Sequence, residues 1–411
     1  MPEQLFDYFC DFHIHIGRTR AGRLVKVTAS RELTFANICA ECVERKGIEI
    51  AGIVDCAAPT VIADIEALLE SGEMEELPQG GLRFRRQLTV LLGAELETKE
   101  QNGALSHHVS FFPTLAALKE FSAIISRHVR TLELSSQLCH MPARELMDIA
   151  LSCGALFIPA HAFTPHRSVY GSCASRLVEL FGEERFSNIV AIELGLSADS
   201  YLADRLAELR GVTFLSNSDA HSLPKIGREY NILRLAEANF AEVVKALRRE
   251  GGRAVVANYG LDPRLGKYHR TFCEDCQLVV TSPPPTFRCN RCGSERVVRG
   301  VLDRIVEIAD YPEPRPPAHR PPYRYQVPLQ FLPKVGPVTL NRLLNRFGSE
   351  MAVLHFADTR EIAQTVGTQI ARLIAAAREG SLMFQPGGGG HYGKPIVNER
   401  DTQLPLGLPG S

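Results

Sequence analysis

At 411 residues the chain exceeds one ordinary domain, and its net charge of −1 excludes a wholly basic nucleic-acid-coating protein. Its 45% hydrophobic content is that of a globular protein, yet no run approaches the about 18 apolar residues of a membrane span. MPEQLFDYFCDFH lacks the order of a secretory signal, and eleven cysteines fit a reducing compartment if some bind metal, so a cytoplasmic protein without a membrane partner is expected.

An early apolar run, Tyr8 to Ile16, reads as a strand and carries Asp11-Phe12-His13-Ile14-His15. Residues two apart on a strand share a face, so His13 and His15 can grip one metal ion or adjacent ions. Alone, His-x-His is a weak signal, but similar residues follow at the ends of later apolar runs. Asp55 closes Ile48–Val54, Glu95 closes Leu88–Ala94 and His161 closes Ala155–Ala160; Glu193 lies late in Ile189–Leu194, and Asp219 and His221 follow Val212–Ser218. Helix-like segments alternate with these strands: Glu32–Arg45, Thr60–Leu69, Thr114–Arg127, Ala143–Ser152, Ala174–Phe181, Ser200–Leu209 and Asn239–Arg249. Seven strand–helix pairs favour an α/β barrel over residues 1–257, in which the carboxyl ends of parallel strands gather on one face. The residue types suit Mg²⁺, Mn²⁺ or Zn²⁺. In His107-His108-Val109-Ser110-Phe111-Phe112 the histidines open the strand, so it runs differently from the others, and His108 is the ligand candidate. Cys39-x-x-Cys42 lies in a helix-like stretch with no second knuckle and reads as core packing.

These pieces resemble the polymerase-and-histidinol-phosphatase (PHP) metallohydrolase family: DFHIH at 11–15, IVD at 53–55, GAELE at 93–97, HVSFF at 108–112, IPAH at 158–161, IELG at 192–195 and SNSDAH at 216–221. The resemblance implies a distorted seven-stranded β/α barrel, two or three divalent ions and phosphoester hydrolysis by a metal-activated water, with His13, His15, Asp55, Glu95, His108, His161, Glu193, Asp219 and His221 around the ions. His161 or His221 would be ligand or proton shuttle, and Asp219, His221 and His161 are the catalytic candidates. Asp55-Cys56 stands where many members have Asp-His, so Cys56 is either a soft ligand or an empty position.

Residues 258–311 hold Cys273-x₂-Cys276 and Cys289-x₂-Cys292, twelve residues apart, which point to a structural zinc held by four thiolates in a small ribbon. Arg288, Arg291, Arg296 and Arg299 decorate it, and Arg288 and Arg291 are read as DNA contacts. From Gly260 to Phe347 there are 14 basic and 8 acidic side chains, a net of +6, which favours an anionic partner. Residues 312–327 are a proline-rich, semi-rigid linker. Residues 328–380 carry two similar turns, Leu332 to Pro337 and Ala363 to Thr368, each before a helix, and resemble a tandem helix-hairpin-helix domain. Lys334, Gly336 and Gly367 would meet DNA phosphates there. The Gly- and Pro-rich tail, 381–411, is expected to be disordered; its Gln403–Leu408 resembles the peptides that bacterial repair proteins insert into the sliding clamp, tethered by the flexible run Gly387–Gly390.

Barrel, ribbon and hairpins in that order resemble the endonuclease Q family over residues 1–380. That implies a DNA repair enzyme cutting double-stranded DNA 5′ to uracil, hypoxanthine or xanthine and at abasic sites, with a flipped nucleotide. The loop Phe163–Ser175, with His166, Arg167 and Tyr170, is the candidate base pocket. A small-molecule phosphatase of the PHP type would leave ribbon and hairpins without a role; a catalytically inactive DNA-binding scaffold has only Cys56 in its favour.

Overall fold

The computed structural model describes residues 3–396. Seven strands form a distorted barrel: β1 (Phe6–Ile14), β2 (Ile50–Ile53), β3 (Leu88–Lys99), β4 (Leu105–Phe112), β5 (Leu156–Pro159), β6 (Ala191–Glu193) and β7 (Thr213–Leu215). The all-parallel arrangement expected from the strand–helix alternation holds only in part. β1, β2 and β3 pair in parallel, as do β6 and β7, but β4 is antiparallel to both β3 and β5. The cause is local: β3 runs on to Lys99, and the turn at Gln101–Gly103 returns the chain directly as a hairpin, with no helix to carry it back. A bond from the Ala162 N–H to the Glu193 carbonyl (2.8 Å) joins β5 to β6, and a parallel bridge between Ile14 and Ala220 closes the ring. Two further strands extend the sheet outside the ring: Tyr230–Leu235 pairs antiparallel with β1, and Ala254–Gly260 pairs antiparallel with Tyr230–Leu235.

Helices lie where the apolar spacing predicts them, with their ends set by caps. Thr114 accepts from the Ala117 N–H, Asn239 from the Glu242 N–H, and Ala143–Ser152 stands between Pro142 and Gly154. The expected helix Ser200–Leu209 is instead a short helix, Ser200–Ala203, and a 3₁₀ turn, Ala207–Gly211; at the break Asp204 is tied to Arg320 at 2.9 Å. One apolar cluster, with Phe12, Leu91, Val109, Phe111, Ile158 and Leu215, fills the ring; a larger one lies between the ring and its helices. Cys39 and Cys42 are both buried in the larger one.

The second half is wrapped around the barrel. The proline-rich stretch is not a spacer: Arg320 donates to the Val212 and Leu209 carbonyls, and Tyr323–Tyr325 adds a parallel strand beside Ala254–Gly260. Its prolines suit an edge strand because the outer N–H groups need no partner. Four helices follow, Pro337–Phe347, Glu350–His355, Thr359–Val366 and Thr368–Arg378, and a buried Lys46–Glu350 ion pair of 2.7 Å fastens them to the barrel. The tail departs from the expected disorder as far as Ile396, because Met383–Gln385 and Lys394–Ile396 pair as an antiparallel hairpin. The segment Gln403–Leu408 lies outside the described residues. Among those described, no helix is long and apolar enough to cross a membrane.

Candidate active site

Two groups of donors meet at one end of the barrel: His13, His15 and Asp219, and Glu95, His107 and His161. The first group follows from strand periodicity. His13 and His15 face the same way, and their Nε2 atoms lie 3.2 Å apart. Each imidazole is oriented from behind. Glu193 Oε2 is 2.9 Å from His13 Nδ1, and Asp55 Oδ2 is 3.0 Å from His15 Nδ1, so both Nε2 atoms turn inward. Asp219 Oδ1 stands 3.4 Å from His15 Nε2, and Glu95 Oε1 3.5 Å from His13 Nε2. Glu95 joins the two groups, since the same oxygen is 3.0 Å from His107 Nδ1 and 3.5 Å from His161 Nε2.

Both loops that deliver these groups are conformationally unusual. His161 has φ +29° and Asp219 φ +44°, sparsely populated angles for residues with a Cβ, and such angles cluster at functional sites. Gly195 makes room for the first, since a Cβ there would lie 2.9 Å from the His161 Cβ. The 216–221 loop is held by a buried polar network: Asn231 accepts from the Ser216 N–H (2.9 Å) and donates to Asn217 Oδ1 (3.0 Å), while Asp11 accepts from the Ser218 N–H (3.0 Å) and the Gly227 N–H (2.8 Å).

The electrostatics match a cation site. Burial opposes the charging of His13, but Glu193, Asp219 and Glu95 outweigh it and push it up to about 10. Burial likewise opposes ionisation of Glu95 and Asp219, yet His107 and Lys26 hold the first, and His15, His13 and His221 the second, well below the usual carboxylate range. Protons gathered on imidazoles thus occupy the place of a metal charge, and the donor set of imidazole and carboxylate fits a borderline or hard divalent ion.

One expectation is corrected, and the positions of three other candidates are resolved. His108 is not in the cluster: β4 alternates, so His108 points to the other face, stacks on Phe157 (4.9 Å) and meets Ser106 Oγ at 2.8 Å, while His107 takes the inward position. Asp55 bonds His15 Nδ1 and Glu193 bonds His13 Nδ1, each on the far side of the ring from the inward Nε2, and Glu193 also lines the cavity above. Cys56 is buried, donates to the Ile53 carbonyl (3.1 Å), and faces the apolar core. His221 packs on His15 with ring centroids 4.7 Å apart, its Nδ1 3.0 Å from the Asp219 carbonyl. Lys26, which no motif singled out, places its ammonium 3.3 Å from Glu95 Oε2 and 2.5 Å from Ser136 Oγ.

A cavity of about 240 Å³ opens above the cluster, lined by His161, Glu193 and Asp219 below and by His166, Lys267, Tyr268 and Tyr392 above. Of the loop expected to form a base pocket, Thr164 and His166 line this cavity, whereas Arg167 and Tyr170 do not. Arg167 pairs with Glu97 at 2.9 Å, and Tyr170 is buried on Phe163 with its hydroxyl bonded to Glu208 (2.6 Å).

The four ribbon cysteines also converge, within 4.8 Å of one another. Cys273 and Cys292 are 3.7 Å apart, and Cys276 and Cys289 3.9 Å. Those are edges of a tetrahedron with metal–sulfur bonds of about 2.3 Å. The knuckles share one geometry, with left-handed Gln277 and Gly293 directly after the second cysteine. N–H groups of Cys292 and Arg291 pull Cys289 down to about 7. Arg288 and Arg291 are exposed on this ribbon. In the helical region Gly336 and Gly367 each precede a helix with no side-chain cap. A Cβ at either would meet nothing, and Lys334 bridges the two turns by donating to Gln369 at 2.8 Å.

A family model described as PHP-associated matches residues 200–250. The chain is 47% identical over 389 residues to the uncharacterized protein YqxK of Bacillus subtilis, covering 94% of this chain and 98% of that one. It is 35% identical over 254 residues to the uncharacterized protein MJ0043 of Methanocaldococcus jannaschii, covering 57% of this chain and 31% of that one. Among solved structures it is similar to the lesion-specific endonuclease PfuEndoQ from Pyrococcus furiosus, with a TM-score of 0.82, 32% identity and coverage of 97% and 98% of the two chains. A complex of endonuclease Q with a 27-mer duplex substrate carrying an abasic lesion at the active site matches equally well.

Proposed function

The chain belongs to the endonuclease Q family, and on that premise we propose that it is a DNA repair endonuclease that cuts 5′ to deaminated bases (uracil, hypoxanthine, xanthine) and at abasic sites, with the barrel cluster as its active site. The observation that carries this reading is the convergence of His13, His15, Asp219, Glu95, His107 and His161 at one end of the barrel, where His161 and Asp219 open onto the cleft. His13, His15 and Asp219 would hold one divalent ion, and Glu95, His107 and His161 a second. Bound there, Mg²⁺, Mn²⁺ or Zn²⁺ supplies Lewis acidity toward water and toward phosphoryl oxygens. Asp55 and Glu193 fix the tautomers of His15 and His13, so the inward nitrogens keep their lone pairs. Lys26 places an ammonium against Glu95 and Cys56 faces away from the donors, so the two groups of three donors are read as two ion sites. His221, packed on His15 with its Nδ1 3.0 Å from the Asp219 carbonyl, stands beside the first ion's ligands and would be the proton shuttle or a further ligand.

The remaining regions would hold the duplex. The ribbon's four thiolates take a structural zinc, with Arg288 and Arg291 toward DNA. The open N-termini after Gly336 and Gly367 present N–H groups to phosphates, and Lys334 adds a charge. Gln403–Leu408 would serve as a sliding-clamp ligand. End-labelled duplexes carrying one uracil, hypoxanthine, xanthine or abasic site, incubated with each metal and sized against a ladder, test the assignment. A nick immediately 5′ to each lesion and none in the undamaged duplex is expected; uniform cutting, or cutting of small phosphate monoesters alone, would overturn it.

A further inference from the structure

The tail hairpin departs most from its sequence pattern, and its glycines explain why. The run Gly387–Gly390 is a docking strip, not a tether. The Gly387 N–H donates to the Arg264 carbonyl (2.7 Å), the Gly390 N–H to the Lys267 carbonyl (3.3 Å) and the Gly393 N–H to the Leu265 carbonyl (2.9 Å). A Cβ at Gly387 would lie 2.7 Å from the Gly266 carbonyl, one at Gly388 would strike Val279, and one at Gly389 would lie 2.5 Å from the Phe272 ring. Only a chain without side chains lies this close to the 264–267 loop and the ribbon. The docking delivers Tyr392 to the cleft above the barrel cluster.

Tyr392 is held there by cations. Its hydroxyl accepts from Arg228 Nη1 (3.1 Å), and Lys267 Nζ stands 4.7 Å over its ring. The same Arg228 donates through Nε to the Ser218 carbonyl (2.7 Å) and through Nη2 to the Asp219 carbonyl (3.2 Å), so hairpin and candidate metal loop share one guanidinium. Tyr392, Tyr268 and His166 give the upper part of the cleft three flat rings, while Glu193, Asp219 and His161 form its floor. A second groove adjoins at His166, Lys267 and Tyr268 and runs along the ribbon past Arg270, Arg296 and Arg299, bounded by Gly389 and Gly390 of the hairpin. A floor of metal-ligand candidates, a flat aromatic upper wall and a basic approach are what one nucleotide of a strand requires: phosphate toward the ions the floor would hold, base among rings, neighbouring phosphates along the arginines.

We propose that the C-terminal hairpin, residues 383–396, is the roof of the substrate cleft and that Tyr392 stacks on the nucleobase at the lesion. The inference rests on the endonuclease reading above. An abasic site has no base to stack, so Tyr392 acts on base lesions and not on abasic ones.

The test uses full-length protein and three duplexes, carrying uracil, hypoxanthine or an abasic site. Tyr392→Ala lowers kcat/KM on uracil and hypoxanthine by ~10- to 100-fold, the equivalent of one lost base–aromatic stack, and stays within ~3-fold of wild type on the abasic duplex. Tyr392→Phe keeps the ring and stays near wild type on all three; Tyr392→Leu keeps apolar bulk without the ring and behaves as Ala, with thermal unfolding and zinc content verifying each variant. Equal losses on all three duplexes would make Tyr392 a brace for the Asp219 loop through Arg228 and overturn the proposal. So would undiminished cutting of base lesions by Tyr392→Ala, or a wild-type enzyme that cuts the abasic duplex alone. Wild-type protein that cuts no lesion duplex refutes instead the endonuclease reading.

Discussion

The barrel cluster and the cysteine ribbon are both built to hold metal, but they stand on different foundations. The barrel donors sit on strands, or on the loops that follow β5 and β7, against two packed apolar clusters, and their orienting carboxylates are buried with them. The ribbon has three two-residue strands and an apolar cluster of only Cys273, Val280 and Cys289, two of them donors themselves. Removing metal from the first should cost chemistry; removing it from the second should cost structure. Preorganisation in the barrel lies in Asp55, Glu193 and Asn231, side chains anchored in packed strands, whereas the ribbon's orienting groups are the knuckles' own N–H groups, from Cys276 to Cys273 Sγ and from Arg291 to Cys289 Sγ, so its metal must be its core.

The largest effect is expected at Asp219. Asp219→Asn should abolish cleavage of a lesion duplex in single-turnover assays, with DNA binding within a few-fold of wild type, because the carboxylate charge holds a cation rather than the duplex. Asp55→Asn, which loosens the hold on His15 while the Ile16 N–H can still be bonded, should retain activity at roughly 1–10% of wild type. Equal losses in the two variants would erase the distinction between donors and orienting groups.

The ribbon is broken by Cys273→Ser with Cys276→Ser. That variant should lose one zinc by elemental analysis, lose protection of residues 272–298 from proteolysis, and weaken DNA binding more than hydrolysis of a small phosphodiester. Loss of barrel unfolding cooperativity in the same variant would show that the two centres are not independent.

A third contrast sharpens the barrel itself. His107→Ala should lower the divalent-ion content and activity together. His108→Ala, which opens a hole beside Phe157, should lower the melting temperature and leave metal content intact, at a stability cost of about 1–3 kcal/mol. Gly336→Val should weaken binding to damaged and undamaged duplex alike by several-fold and reduce its salt dependence. Its backbone is not left-handed and its surroundings are open, so the fold is retained.

The smallest expected effect concerns Glu229, whose carboxyl burial pushes up to about 8, with Oε2 buried and unbonded among the described residues. Its folded-state value lies above that of the unfolded chain. The contribution to stability is therefore complete below pH 4.5 and lost as pH rises through about 8. Glu229→Gln should change melting little at pH 5 and raise it relative to wild type at pH 9; a pH-independent difference would contradict the assignment.

How much of this was legible in the sequence depends on range. The two Cys-x-x-Cys knuckles declare a site within twenty residues, and His13 with His15 declares a shared face within three. His107 and His108 are adjacent, and only the hairpin register of β4 against β3 decides which faces inward; the PHP pattern, aligned one residue off the facing position, pointed to the wrong one. Asp55 and Glu193 carry the right residue type at the right strand end, but a carboxylate behind a histidine and one beside it have the same sequence signature. Tyr392 had no signal, because a glycine run reads as freedom until the surface it packs against is known.

The central claim is that the barrel centre does the cutting and the ribbon zinc only holds structure. Protein stripped of barrel ions while keeping one zinc per chain, then titrated with Mn²⁺ against an abasic duplex under single-turnover conditions, tests it directly. No cleavage is expected at one zinc per chain, with full recovery on adding roughly two further ions. Full activity at one zinc per chain would contradict it.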